Sequence, residues 1–421
     1  MVLPRSDNAK RRFDRRCFPN IVFGNAWPLR QGGYPVTQVR SMYGRVRKTM
    51  INDRRQMARR SYSLIGSLFL LIVGGSFIAA KEERTVPSYP EHEDLSYYLG
   101  ADGSRVPIRT PSDWRHRREH IVAGIEEAMG PLPRPPKPVP PDVETIEEHH
   151  VRGLVRRKLA YHTNRRDYKI RAWLLMPVAS SSQRRPAVLC LHQTTPNGKD
   201  SPVGLSDRPS MHYALELARR GYVTLSPDYP SLGEHDYDFD ADDYVSGSMK
   251  GIYDNIRAID LLQSLPEVDA ERIGCIGHSL GGHNALFTAV FDERIKAVVT
   301  SCGFTSFHKY KGGDLHGWSG PRYMPRIATR YNFSPDQMPF DFSEILAAIA
   351  PRAVFIVAPL HDDNFAVTGV RDCVAAAQPT YNLLRHPERL QATYPDAGHD
   401  FPDADRKEAY NTLHRFLMRS R

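Results

Sequence analysis

From about residue 187 to 418 the chain alternates short, unbroken apolar runs with stretches of helical periodicity, and few folds accept that pattern. Residues 187–191, 222–226, 273–276, 295–300, 353–357 and 390–394 read as strands. Residues 212–220, 248–265, 280–291, 367–384 and 404–418 read as the helices that connect and close them. Strands that are apolar at consecutive positions are covered on both faces. Repeated strand–helix units imply a parallel sheet with right-handed crossovers. Segments 155–161 and 168–176 read as an antiparallel pair added to it. The predicted fold class is α/β, a mostly parallel central sheet flanked by helices.

The N-terminal part has a different character. Residues 1–60 hold 15 Lys and Arg against Asp7, Asp14 and Asp53. That net of +12 exceeds the +9 of the whole chain, so the other residues sum to −3. A basic nucleic-acid-binding face therefore has no basis in the body of the protein. Residues 64–80 carry no charge, follow Arg59 and Arg60, and end in Ala79-Ala80, as a secretory signal peptide does. Cleavage after Ala79 or Ala80 would export the protein to the periplasm or beyond the cell, and an uncleaved segment would anchor it in the membrane. A signal peptide placed at 57–80 suggests that translation starts at Met57 and that 1–56 is a mis-annotated or disordered leader. Residues 81–150 then form an N-terminal helical and Pro-rich wrapping segment. Within it, Thr110-Pro111-Ser112-Asp113 starts a helix, Gly130-Pro131 stops it, and seven prolines follow between 131 and 142. The α/β domain is expected at 151–421. Cys190, Cys275, Cys302 and Cys373 fall in apolar segments and read as free buried thiols, while Cys17 belongs to the leader.

Gly277-His278-Ser279-Leu280-Gly281 stands directly between a predicted strand and a predicted helix. This is the G-x-S-x-G nucleophile elbow, in which a sharp turn lifts a serine to the end of the sheet. Gly277 and Gly281 supply the missing side chains that the turn needs, and the Leu280 N–H at the helix start can bind an oxyanion. The base follows in Asp396-Ala-Gly-His399, between the last strand and the last helix. The acid should follow the preceding strand, where Asp362 is the choice by loop length and Asp363 the competitor. A second oxyanion donor should come from Gln193 or Thr194 in the loop His192-Gln-Thr-Thr. Residues 303–342, between two strands, carry nine Phe, Tyr and Trp and read as a lid-like insertion, with Trp318 and Tyr323 as a substrate wall. A satellite packing layer would explain the same aromatics. Asp236, Asp238, Asp240 and Asp242 lack the glycine and glutamate of a calcium loop, so no metal is implied. They could still rim the pocket. His283, one turn past Ser279, reads as a packing residue.

These motifs, spread over about 150–421, resemble the α/β-hydrolase superfamily, most closely its bacterial acetyl-xylan-esterase-like and dienelactone-hydrolase-like branch. The resemblance implies a serine carboxylic ester hydrolase acting through an acyl-enzyme on Ser279, with a small-molecule or carbohydrate ester as partner and no cofactor. Two departures stand out. Most such enzymes have glycine where this chain has Gln193, and dienelactone hydrolases proper use a cysteine where this chain has Ser279. A prolyl-oligopeptidase-type serine peptidase shares the elbow and the order of the triad. It ranks lower, because that group carries a large N-terminal propeller and only about 70 residues lie between 81 and the catalytic region. A non-catalytic binding protein on the same fold is the third reading, and such proteins usually lose a triad member.

Overall fold

The computed structural model describes residues 86–135, 137–178 and 183–418. The leader at 1–56, the signal segment at 57–80 with its cleavage site, and Cys17 lie outside the described residues. The described chain opens with a small antiparallel ribbon, β1 (Tyr97–Leu99) and β2 (Arg105–Pro107). Helix α1 (Pro111–Met129) follows. Its start is the predicted one: Thr110 accepts the Asp113 N–H at 3.2 Å, and the Asp113 carboxylate accepts the Thr110 N–H at 2.9 Å. This reciprocal cap satisfies two donors that the first turn leaves open. Trp114, Ile121, Ile125 and Met129 bury its inner face.

The antiparallel side of the main sheet consists of β3 (Glu144–Val151), β4 (Leu154–His162) and β5 (Lys169–Pro177). The parallel side contains β6 (Arg185–Leu191), β7 (Val223–Pro227), β8 (Val268–His278), β9 (Ile295–Ser301), β10 (Ala353–Val357) and β11 (Leu390–Thr393). The nine strands lie in the order β11-β10-β9-β8-β6-β7-β5-β4-β3. Pairing is parallel from β11 to β7, and β5 joins β7 antiparallel.

The helices are α2 (Tyr213–Arg219), α3 (Gly247–Ser264), α4 (Leu280–Phe291), α5 (Arg326–Thr329), α6 (Phe342–Ile349), α7 (Val367–Leu383) and α8 (Asp403–Leu417). Side chains of a strand point alternately to its two faces. Accordingly Ala187, Leu189 and Leu191 join one apolar core with residues of α1, α3, α4 and α6. Val188 and Cys190 join a second core with residues of α2 and α8. This two-sided burial is why the parallel strands read as unbroken apolar runs.

Strands β1, β2 and β3 and helices α5 and α6 were not read from the sequence. The ribbon β1–β2 is too short to leave a pattern. Strand β3 is an edge whose side chains are mostly exposed, so its run of Glu and His shows no apolar alternation; charged edges of this kind discourage pairing with other chains. Helix α6 lies in the long connection between β9 and β10, and all eight of its residues are buried. Phe304, Phe307, Tyr310, Trp318, Phe340 and Phe342 of this connection belong to the core on the α4 side, so its aromatics form a packed layer. Cys190, Cys275, Cys302 and Cys373 are buried free thiols.

One buried ionic cluster ties α1 and the segment before it to α6. Glu344 accepts from Arg117 at 2.6 Å and from His92 at 2.8 Å, and His92 also bonds the Met338 carbonyl at 2.9 Å. Removing the charge of Glu344 would leave the Arg117 guanidinium buried and uncompensated, and two of its nitrogens already lack partners. Glu344→Gln should therefore cost about 3–5 kcal/mol in urea unfolding. Burial pulls the His92 pKa down, but its bond to Glu344 and that residue's charge raise it above 6.5 on balance. Its stabilising contribution is thus full below the ordinary histidine value and is lost as pH rises through the raised one. Glu344→Gln should flatten that decline.

Candidate active site

Ser279 follows β8 and caps α4 with φ 54° and ψ −118°. A serine at positive φ stores strain, which persists where surrounding structure forces it. The forcing contacts are backbone. A Cβ at Gly277 would stand 2.1 Å from the Gly281 carbonyl oxygen, and one at Gly281 would stand 1.9 Å from that of Leu191. Both glycines are therefore required by close approach. The Ser279 N–H donates to Ser301 O at 2.8 Å, and its carbonyl accepts from Gly282 N at 2.8 Å.

The loop after β10 brings Asp362 to His399. The His399 Nδ1 lies 2.9 and 3.0 Å from the two oxygens of Asp362, whose side chain is 1% exposed. The Asp362 Oδ1 also accepts the N–H groups of Asn364 at 2.8 Å and Phe365 at 3.0 Å. Burial raises the Asp362 pKa, yet the hydrogen bond and charge of His399 and these N–H groups hold it below the usual carboxylate value. Asp363 is exposed, and only its carbonyl is engaged, by Lys311. Of the two adjacent acids, Asp362 is the one that meets His399. The His399 ring packs against His278, the neighbour of Ser279, at 5.0 Å between centroids, and against Phe365 at 6.0 Å. Asp400 pins the loop by accepting from Arg208 at 3.0 Å and Ser210 at 2.8 Å. Cys302 Sγ donates to the Asp400 carbonyl at 3.3 Å.

The loop after β6 is held by His192, which was not singled out for any role on sequence. Its Nε2 accepts the Tyr229 N–H at 3.0 Å, which leaves Nδ1 to donate to the Gln193 carbonyl at 2.7 Å. Burial keeps this ring neutral by lowering its pKa. The Gln193 side chain turns away to Ser201, at 2.9 Å. Thr194 instead meets Tyr323, hydroxyl to hydroxyl, at 3.3 Å.

Ser279 and Leu280 open on a cleft of about 310 Å³. Trp318, Tyr323, Thr194 and Tyr310 line it. Asn364 and Phe365, next to the acid, close one side, and His283 lines the cleft as well as packing. The four aspartates at 236–242 do not reach this cleft; Asp236, Asp238 and Asp242 line a separate hollow with Arg165 and Lys250. Lys199 is a structural cation, paired with Asp228 and Glu234 at 2.9 Å each. Among the described residues one group has metal-type donors close together, Cys302, Asp362 and His399, within 4.8 Å of one another. Two of its members already bond each other.

Fold and site together define a protein of the α/β-hydrolase class. The chain belongs to the prolyl oligopeptidase family, whose sequence description matches residues 209–420, half of its length. A Bacillus subtilis (strain 168) protein provisionally named as a hydrolase, YtaP, is 28% identical over 215 residues, covering 49% of this chain and 68% of that one. Among solved structures, the glucuronoyl esterase from Solibacter usitatus superposes with a TM-score of 0.59 at 18% identity, over 80% of this chain and 98% of that one. The acetyl xylan esterase from Paenibacillus sp. R4 does so with a TM-score of 0.51 at 19% identity, over 78% and 99%. At these identities the structural likeness is one of fold. Among the described residues no helix is long and apolar enough to cross a membrane.

Proposed function

We propose that the protein is an exported serine hydrolase that cleaves a carboxylic ester, and that its substrates are acyl esters of carbohydrates. The observation that carries this reading is the Asp362–His399 pair, whose imidazole packs against the neighbour of a strained serine that opens on an aromatic cleft. In the proposed cycle Ser279 Oγ attacks the ester carbonyl while His399 Nε2 takes its proton. Asp362 holds the Nδ1–H and stabilises the imidazolium. The oxyanion is bound by the Leu280 N–H and by a backbone N–H of Gln193 or Thr194. His399 returns the proton to the departing alcohol. Water, deprotonated by His399, then hydrolyses the acyl-enzyme and frees the acid.

The names of the fold relatives support an ester substrate, since both are carbohydrate esterases. Family membership gives a second reading, a peptidase cutting beside proline. The test is steady-state turnover of p-nitrophenyl acetate, an acetylated xylo-oligosaccharide and a proline-containing peptide by the purified protein. Rapid hydrolysis of both esters and none of the peptide is the expected result. Peptide cleavage alone would move the assignment to the peptidase, and no turnover of any of the three to a binding protein.

A further inference from the structure

His283 stands one turn along α4 from Ser279, is 2% exposed, and lines the same cleft. Neither of its ring nitrogens makes a well-formed hydrogen bond, although the Gly303 carbonyl lies close enough to act on one of them. Five histidines are buried among the described residues, and each of the other four has at least one bonded nitrogen. Buried polar groups in folded proteins are nearly always partnered, because an unmade bond costs the full desolvation of the group. His283 bears that cost beside the reactive serine. Its ring lies against Trp318 at 4.7 Å and Tyr323 at 6.1 Å between centroids, and all three residues line the cleft.

The lining of this cleft contains no Asp, Glu, Lys or Arg. Burial pushes the His283 pKa down to about 3, against a weak opposing pull from the Gly303 carbonyl, so the ring is uncharged at neutral pH. A neutral imidazole offers one donor and one acceptor, which suits a hydroxyl group and gives an ionised carboxylate no charge to pair with. Flat aromatic walls suit the apolar face of a pyranose ring.

We propose that His283 is a specificity-determining residue that hydrogen-bonds a free hydroxyl of a neutral sugar whose acyl ester is presented to Ser279. The proposal rests on the esterase reading and narrows its substrate class. The experiment compares wild type, His283→Phe and His283→Asn on a mono-O-acetylated methyl xyloside, which has free hydroxyls, and on p-nitrophenyl acetate, which has none. The ratio of kcat/KM for the sugar ester to that for p-nitrophenyl acetate should fall about 10–100-fold in His283→Phe and recover in part in His283→Asn. The thermal midpoint of His283→Phe should equal or exceed that of wild type, since the variant removes an unpartnered buried group. An unchanged ratio, or equal loss on both esters with a lowered midpoint, would assign His283 to packing and overturn the proposal. Wild type that cleaves p-nitrophenyl acetate but not the sugar ester overturns it too. Wild type that cleaves neither ester overturns the esterase reading beneath it.

Discussion

Ser279→Ala should lower kcat for ester hydrolysis by on the order of 10⁴-fold or more while leaving the fold intact. The hydroxyl is the only group removed, and alanine keeps the Cβ that the turn already accommodates at φ 54°. The backbone contacts that force the elbow do not involve the hydroxyl: Ser279 N to Ser301 O, and Gly282 N to Ser279 O. Urea midpoints of variant and wild type should therefore agree within about 0.5 kcal/mol. Residual turnover would come from binding and from the oxyanion donors, which stay in place. Ser279→Gly makes a useful companion. It should be equally inactive, yet stabilised by about 1 kcal/mol, because glycine tolerates positive φ and the strain is released. Retention of more than a tenth of wild-type kcat in either variant would show that another nucleophile carries the reaction.

The sheet was legible because its parallel strands are covered on both faces, which writes burial directly into the sequence. The bounds read for β10 (Ala353–Val357) and α4 (Leu280–Phe291) match the structure. Edge strand β3 was not legible, since most of its side chains are exposed and exposure imposes no pattern. Helix α6 was hidden for a different reason. Its segment is only eight residues long, and a short, mainly apolar run does not separate a buried helix from a strand by its period. At the site, Gly277 and Gly281 could be read because the elbow demands close backbone approach at fixed spacing. The character of His283 could not. A histidine on an apolar helix looks the same whether its nitrogens are bonded or free, and only the packing around Trp318 and Tyr323 distinguishes the two.

The choice between adjacent acids is the place where three-dimensional position adds most, and it leads to the second large effect. Asp362→Asn should cost about 10⁴-fold in kcat, whereas Asp363→Asn should change it by less than about threefold. Both substitutions remove one charge from the same loop, so a long-range electrostatic effect would act on both alike. What separates them is contact. Asp362 presents a buried carboxylate to His399 Nδ1 at 2.9 Å, and an asparagine there can offer an amide N–H in place of an acceptor. That donor would favour the tautomer with the proton on Nε2, the nitrogen that must be free to receive the serine proton. Asp363 contributes only its backbone carbonyl, which the Asp363→Asn variant would retain. Acid stability gives an independent reading of the same contact. The Asp362 pKa is held below its ordinary 3.8 by His399 and the neighbouring N–H groups against the upward push of burial. The stability from that interaction is therefore present above about pH 4 and is lost as pH falls through the depressed value. Unfolding free energies measured from pH 6 down to pH 3 should show a shallower acid decline in Asp362→Asn than in wild type or Asp363→Asn. Equal kinetic losses in the two variants would remove Asp362 from its proposed role, whatever the stability curves showed.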